Sequence, residues 1–182
     1  MKRSFWACWP AIAAAIGIVS PQPSQAAAHW SSFEGKTFQV EYPAVWSRIG
    51  LLDGRTLDIL SPGQREEGAV IGKGQAEIVV QPLDPKAPMG SQISQWLKGA
   101  DVVVRRGKAS GLHSPSCSSF ETVTQDNNAA DGGHPTFDRT SAFFCSGAER
   151  PLLLTVRYWR DDPKAVQHEA VARRMAASLR SR

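Results

Sequence analysis

Two strand-like stretches with a loop between them set the architecture of this chain: Ser119-Phe-Glu-Thr-Val-Thr-Gln125 and Thr136-Phe-Asp-Arg-Thr-Ser-Ala-Phe-Phe144. Both stretches are rich in β-branched and aromatic residues, which favour strands. Residues 126–135 between them consist largely of Asp, Asn, Ala, Gly, His and Pro, which is a loop composition. The pattern predicts an antiparallel hairpin centred near residue 131, in which position 117 faces position 145.

Cysteines occupy both of those facing positions, Cys117 and Cys145. Facing residues of an antiparallel pair have Cβ atoms about 4.5–5.5 Å apart, so a disulfide needs only modest relaxation. Such a bridge would stabilise the fold by roughly 3 kcal/mol. Two other interpretations stay open, a pair of buried reduced thiols and a redox pair. The sequence has no Cys-x-x-Cys and no feature that would lower a thiol pKa, so we favour the disulfide.

Residues 1–28 have the order of a secretory signal peptide. Residues 1–3 carry the positive charge, residues 5–18 are mostly apolar, and residues 26–28 are alanines. About 14 apolar residues with a proline among them are too few for a membrane anchor, which needs roughly 20. We therefore expect cleavage near residue 28, loss of Cys8 with the signal, and export to the periplasm or out of the cell.

The remaining chain, residues 29–182, has the composition of one ordinary globular domain. Removal of the signal takes away Lys2 and Arg3 and no acidic residue, so the formal net charge falls from +4 to +2. So small a charge gives no reason to expect nucleic-acid binding. We expect a single monomeric domain with no membrane span in the mature chain.

Hydrophobic patterning predicts further strands along the chain. Alternating or apolar runs bounded by turn residues cover residues 37–42, 46–52, 55–60, 76–80, 102–106 and 152–159. The last of these runs contains three consecutive leucines, which indicates a strand buried on both faces. Asp53-Gly54 predicts a two-residue hairpin turn between the second and third runs.

Two segments have the spacing of helices. The first has an apolar face made of Ile93, Trp96, Leu97 and Ala100. We expect Ser91 to cap this helix and Gly99 to lie near its end. In the second, Asp162 and the proline after it are the expected start, and Glu169 pairs with Arg173 on the side away from the core. The apolar stripe of this second helix comprises His168, Val171, Ala172, Met175 and Leu179. The order of elements indicates an α+β domain in which helices cover a mainly antiparallel sheet.

The segment Phe38-Gln-Val-Glu-Tyr42-Pro43-Ala-Val-Trp46 resembles the opening of PsbP-like domains, in which an aromatic-rich strand runs into Tyr-Pro and then Trp. The later order is also similar: a hairpin ending in Ile59-Leu60-Ser61-Pro62, a Trp-Leu helix, and a terminal helix ending near Ser178-Leu179-Arg180. The resemblance implies an α-β-α sandwich, the fold of the photosystem II extrinsic subunit, a nuclear Ran-release factor and DcrB-like envelope proteins. Those relatives mostly bind or support other proteins. The resemblance therefore implies a fold and assigns no site residue.

No strong catalytic arrangement emerges from the sequence. Gly68-Ala-Val-Ile-Gly72-Lys73-Gly74 is one residue short of phosphate-loop spacing and lacks the Ser or Thr that would hold magnesium, so we expect a glycine-rich turn. There is no Gly-x-Ser-x-Gly elbow. Four serines near Cys117 have no positioned base and are expected to be polar loop residues: Ser114, Ser116, Ser118 and Ser119. We therefore assign no catalytic, cofactor-binding or metal-binding residue.

Histidines and arginines are the remaining candidates for functional residues. His168 lies on an apolar stripe, where we expect a satisfied, partly buried side chain. His113 and His134 lie in loops beside Asp126 and Asp131, residue types that zinc or copper could use, but their spacing matches no metal pattern. The last helix ends with four arginines, which either suit the helix dipole or form a docking patch for an acidic partner or anionic surface. We favour the first interpretation of Arg173, Arg174, Arg180 and Arg182.

The leading hypothesis is an exported, periplasmic, non-catalytic accessory or binding protein that contacts another envelope protein or a small ligand. The alternative is a small envelope hydrolase or metal-dependent enzyme that uses the loops around His113 and His134. Convergence of these histidines with Asp131 or a serine in a cleft would favour the enzyme. A purely structural envelope component is a third hypothesis, and it predicts no defined pocket.

Overall fold

The computed structural model describes residues 29–50, 53–63, 71–99, 102–109, 117–126, 136–146 and 150–182. The predicted signal peptide lies outside the described residues. Within them the chain forms ten strands and two helices. The strands are β1 Trp30–Glu34, β2 Phe38–Pro43, β3 Ser47–Arg48, β4 Leu57–Leu60, β5 Ala76–Pro82, β6 Val102–Ala109, β7 Cys117–Asp126, β8 Thr136–Cys145, β9 Leu152–Trp159 and β10 Arg180–Ser181. The helices are α1 Met89–Lys98 and α2 Ala165–Ser178.

The strands belong to two sheets. The large sheet has seven strands in the order β3-β4-β5-β9-β8-β7-β6, and the small sheet has the order β1-β2-β10. Neighbouring strands run antiparallel in both sheets. The predicted α+β class with a mainly antiparallel sheet is therefore confirmed.

The hairpin of β7 and β8 has the predicted register. Cys117 pairs with Cys145, and further along Glu121 pairs with Ser141. A disulfide joins the two cysteines, which are 28 positions apart in sequence. Both cysteines are buried in the main core. The bridge therefore ties the ends of the two strands together beneath the helical layer.

The two helices cover opposite faces of the large sheet. On one face the main core collects residues of the large sheet, the small sheet and α2, including Phe38, Val40, Met175 and Leu179. On the other face α1 covers a smaller cluster, in which the Trp96 and Phe144 rings meet edge to face at 5.8 Å. The layers thus form the α-β-α sandwich implied by the resemblance, with the small sheet beside α2.

β9 lies near the centre of the large sheet, between β5 and β8. Leu152 and Leu154 belong to the main core, and Leu153 belongs to the cluster under α1. The three leucines therefore fill both faces of the strand, as predicted. A strand enclosed on both sides has no need of alternating polar residues.

The connection at Asp53-Gly54 is longer than the predicted two-residue turn. The pairing of β3 with β4 ends where Arg48 faces Ile59. Gly54 has a φ of 73°, a left-handed conformation that glycine adopts without strain. Asp53 Oδ1 accepts hydrogen bonds from the amides of Arg55 and Thr56, at 2.7 and 3.2 Å. The side chain of Asp53 thus stabilises a wider turn in place of close strand pairing.

The start of α1 differs from the predicted cap. The helix begins at Met89 after Pro88, so Ser91 lies inside the first turn and caps nothing. Gln92 fastens this end of the helix, because its side chain accepts from the Asp84 amide at 3.1 Å and donates to the Asp84 carbonyl at 3.0 Å. The predicted end of the helix is confirmed, with glycine at the C-cap position.

The start of α2 also differs from the prediction. Lys164 occupies the N-cap position, so Asp162 precedes the cap by two residues. The two oxygens of Asp162 accept from the amides of Lys164 and Gly74, each at 2.7 Å. Asp162 therefore holds the start of α2 against the turn that precedes β5. Neither helix in the described ranges has the length and apolar character needed to cross a membrane.

Candidate functional site

A groove of about 440 Å³ lies between α2 and the strands β7, β8 and β9. Three strand residues and five helix residues line it: Glu121, Arg139, Tyr158, Ala165, Val166, Glu169, Ala170 and Arg173. A narrow extension of about 20 Å³ shares part of this lining and adds Ser119, Phe120, Ser141 and Phe143. The volume of the groove lies within the range of about 300–1,000 Å³ that is typical of ligand pockets.

Strand register and helix periodicity bring the lining residues together. Glu121 faces Ser141 across β7 and β8, and Arg139 faces Tyr158 across β8 and β9. Alternation along the strands then places all four side chains on the face that α2 covers. The helix residues fall at i, i+3, i+4 and i+7, which is one side of a helix, and they are Val166, Glu169, Ala170 and Arg173.

Glu169 is at the centre of the polar contacts. Its Oε1 accepts hydrogen bonds from the Tyr158 hydroxyl, at 2.9 Å, and from the Ser141 hydroxyl. Its Oε2 lies 3.7 Å from the Arg173 guanidinium. The sequence correctly paired Glu169 with Arg173, but their predicted position away from the core is wrong. Glu169 is half-buried against the sheet, because the buried side of α2 is wider than its apolar stripe.

Two arginines stand in the groove with most of their donors uncommitted. Arg139 Nε lies 3.1 Å from Glu121 Oε1. The Arg173 guanidinium lies 5.8 Å from the centre of the Phe143 ring, besides its contact with Glu169. Within the described part of the chain, the terminal nitrogens of Arg139 form no ion pair. Since a guanidinium carries five N–H donors, both arginines can still bind an acceptor.

Part of the helical wall of the groove is apolar. Ala165, Val166 and Ala170 form this part, and Val166 is 84% exposed, the highest value among the exposed large hydrophobic side chains of the described residues. A single exposed valine is ordinary on a protein surface. Here Val166 lines the same groove as Arg139 and Arg173, so the groove combines charge with an aliphatic surface.

The Tyr158 hydroxyl is a hydrogen-bond donor in this site. Burial raises the pKa of the Tyr158 phenol far above its usual value, and the negative charge of Glu169 adds to the effect. The phenol therefore keeps its proton over the physiological range. It holds Glu169 in place and leaves the arginines as the groups that face an incoming ligand.

The cluster lacks the arrangement of a nucleophile and a base. Ser141 donates to Glu169, but the same carboxylate also accepts from Tyr158 and pairs with Arg173. An imidazole would be the usual base, and His168 contacts Asp162 instead. Among the residues that the structure describes, no three His, Cys, Asp or Glu side chains come together in a way that could hold a metal ion.

His168 is buried, as the sequence predicted. Its ring lies between those of Trp46 and Tyr158, with centroid distances of 6.2 and 5.8 Å. Its Nε2 lies 3.6 Å from Asp162 Oδ1 and has no hydrogen-bond partner within the described ranges, so the expected satisfied histidine is only partly satisfied. Burial lowers the pKa of His168, and the charge of Asp162 opposes that shift in part.

The glycine-rich segment is a structural turn where the structure describes it. Gly74 has a φ of 82° and donates its amide proton to Asp162. The Gly72 amide donates to Gln75 Oε1 at 3.0 Å. Amides that a phosphate loop would offer to a ligand are thus bonded within the protein. Residues 64–70, including Gly68, lie outside the described residues.

The arginines of the last helix and the following residues engage different parts of the molecule. Arg173 belongs to the groove. Arg174 lies 3.9 Å above the Trp30 ring, and Arg182 pairs with Glu34 at 3.1 Å. Neither interpretation drawn from the sequence is supported: the last turn of α2 contains no basic residue, and these contacts do not form a single docking patch.

The residues of the predicted alternative site lie outside the described part of the chain. This applies to His113, His134, Asp131, Ser114 and Ser116. A hydrolytic or metal-dependent site around the two histidines therefore stays a prediction. The groove is not predictable from a sequence motif, because its residues come from three strands and a helix.

No family model and no curated protein matches this sequence. Similar solved structures include a Bacteroides thetaiotaomicron protein, at 13% identity and a TM-score of 0.45, over 82% of this chain and 49% of that one. This chain thus spans about half the length of that protein. LpqN of Mycobacterium tuberculosis, involved in cell envelope biogenesis, has 9% identity and a TM-score of 0.49, over 84% and 90% of the two chains. The Ran-binding protein Mog1p of Saccharomyces cerevisiae has 8% identity and a TM-score of 0.41, over 84% and 95%. Likeness of this extent concerns the fold alone and carries no argument about partner or activity.

Proposed function

We propose that this protein is an exported, non-catalytic binding or accessory protein, which contacts another envelope protein or a small ligand through the groove between α2 and β7–β9. The observation that carries the proposal is the groove itself. Arg139 and Arg173 each pair with a glutamate, and both line the same groove as the exposed Val166. Positioned charges next to an aliphatic surface are typical of a recognition site.

Two further observations support the proposal. Glu169, the carboxylate best placed to act as a base, has both oxygens engaged by neighbouring side chains, which favours binding over catalysis. The Cys117–Cys145 disulfide favours an oxidising compartment. This agrees with the signal peptide predicted for residues 1–28 and with a location in the periplasm or outside the cell.

Site-specific photo-crosslinking in the native host tests the proposal. The full chain is expressed with benzoyl-phenylalanine at position 166 in the groove or, as a control, at the exposed position 45 between β2 and β3. We expect the exported fraction to contain a discrete adduct, a protein or a small molecule detected by mass spectrometry, with position 166 alone. Equal adducts at both positions, no adduct, or retention of the uncleaved chain in the cytoplasm would contradict the proposal.

A further inference from the structure

The groove has a surplus of hydrogen-bond donors over acceptors. Glu169 already accepts from Tyr158 and Ser141 and pairs with Arg173. Arg139 engages Glu121 through Nε, so its terminal nitrogens are available to a ligand. The Arg173 side chain is about half exposed and is fixed by its neighbours from one side only. An acceptor with two oxygens, such as a carboxylate, matches this arrangement of guanidinium groups.

The ion pairs leave more donors than acceptors open to a ligand. Arg139 pairs through Nε alone and Arg173 contacts a single oxygen of Glu169, so each guanidinium keeps further N–H groups for an acceptor. Of the two glutamates, Glu169 already accepts from two hydroxyls, and Glu121 uses one oxygen in its pair with Arg139. The open donors therefore favour a ligand with acceptor oxygens, although the four charges of the groove sum to zero.

The helical wall indicates an elongated ligand. From Ala165 to Arg173 the wall is about 12 Å long at a rise of about 1.5 Å per residue. An extended chain covers that distance with about three to four residues. The wall carries Val166 and Ala170, on which small aliphatic side chains can pack. A short free acid would contact the arginines and leave most of this wall uncovered.

We infer that the groove binds an extended acidic peptide segment, with a side-chain carboxylate between Arg139 and Arg173 and aliphatic side chains against Val166 and Ala170. The inference rests on the proposed function and names the chemistry of its partner. The segment belongs to another protein of the envelope. It lies along α2, in the groove between this helix and the strands β7, β8 and β9.

Peptide pools can test the chemistry directly. The purified exported protein is immobilised and exposed to acetylated, amidated pentapeptides with Asp, Asn or Lys fixed at the centre and equimolar Ala, Val, Leu and Ser at the other positions. We expect the Asp pool to be retained about tenfold more than the Asn pool, the difference that one charge-assisted contact provides. Isovalerate, a free aliphatic acid, should bind at least tenfold more weakly than the selected Asp peptides, on the same scale.

Single substitutions test whether the peptides bind in the groove. Arg173→Gln removes the half-exposed guanidinium that pairs with Glu169, and Arg139→Gln removes the one that pairs with Glu121. Either change should reduce retention of the Asp pool about tenfold, toward that of the Asn pool. Arg150→Gln makes the same charge change at an exposed position outside the groove and should leave retention unchanged. Equal retention of the Asp and Asn pools, stronger binding of isovalerate, or insensitivity to Arg173→Gln would overturn the inference.

The crosslinking experiment and the peptide experiment can fail independently, so their outcomes distinguish the proposed function from the proposed ligand. A position-166 adduct without retention of the Asp pool would leave the binding function intact and remove the acidic peptide as its ligand. Retention of the Asp pool that depends on Arg173, without an adduct in the envelope, would support the carboxylate site and contradict the envelope partner.

Discussion

Tyr158 and Glu169 connect the central strand of the large sheet to the last helix, through a hydrogen bond of 2.9 Å from the phenol to the carboxylate. Tyr158 is almost completely buried, and Glu169 is half-buried. The contact therefore sets the position of α2 and of the groove residues that α2 carries. This hydrogen bond has a structural role, because the geometry of the groove depends on it.

Tyr158→Phe should lower the free energy of unfolding by about 1.5–3 kcal/mol, the range for a lost hydrogen bond to a charged group. Tyr42 is the other tyrosine of the chain and provides a matched control. It is only partly buried, and its hydroxyl forms no hydrogen bond within the described residues. Tyr42→Phe should change stability by less than about 0.5 kcal/mol. Urea unfolding measures both variants, and equal losses would contradict the role given to Tyr158.

Trp46→Ala should destabilise the protein by about 3–5 kcal/mol, because it removes a large aromatic side chain from the core. Trp46 is 8% exposed, whereas its neighbour Val45 is 68% exposed. Val45→Ala should therefore stay within about 0.5 kcal/mol of the unchanged protein. Chemical unfolding of the two variants checks the prediction, which fails if the tryptophan variant is no less stable than the valine variant.

The stability of the protein should fall below about pH 6.5, the ordinary pKa of histidine. Burial lowers the pKa of His168 in the folded state. Its neutral form is favoured by folding, so its contribution is complete above the unfolded pKa and is lost as the pH falls through the lower folded pKa. The unfolding free energy should thus decrease from pH 7 to pH 5.

His168→Gln should make that pH dependence smaller. The groups that face His168 are Asp162, Lys164 and Glu169, together with the Trp46 and Tyr158 rings. These groups remain in the variant, so the difference between the two pH profiles reports His168 itself. Identical slopes between pH 5 and pH 7 for both proteins would exclude His168 as the source.

Thiol labelling under denaturing, non-reducing conditions should detect no cysteine in the exported protein. Cys117 and Cys145 are bonded to each other, and Cys8 is expected to leave with the signal. One labelled thiol would indicate that residues 1–28 are retained, and two or more would exclude the bridge. The double change of Cys117 and Cys145 to alanine should destabilise the fold by about 3 kcal/mol.

The sequence predicted those elements whose signals are local. The hairpin register followed from two strand signals placed symmetrically about a loop, and it brought Cys117 opposite Cys145. The stripe of α2 followed from helical spacing, and His168, Ala172 and Met175 are indeed buried. The three leucines of β9 were correctly assigned to two faces. In each case neighbouring residues carry enough information to fix the structure.

Elements that depend on distant partners were missed. β1 and β10 flank β2 to form the small sheet, but β1 has a single buried residue, Phe33, and β10 has two residues in all. Such strands exist because a partner is present, and their own residues give little signal. The helix starts were misplaced for a similar reason, since Asp162 is held by the Gly74 amide, 88 positions away.

The groove lies beyond sequence-level prediction for the same physical reason. The hairpin register alone places Glu121 opposite Ser141. It does not tell which face α2 covers, or that Glu169 reaches the hydroxyls of Ser141 and Tyr158. These contacts depend on how a helix packs on a sheet. The side chains of the groove can be recognised as a candidate site only when that packing is known.

The cysteine bridge also makes a covalent ring of the chain from Cys117 to Cys145. A protease that cut the peptide chain once inside this ring would leave one molecule, whose fragments separate only in a reducing agent. β7 and β8 would stay at high local concentration after such a cut. A nicked copy would therefore retain Glu121, Arg139 and Ser141 next to α2.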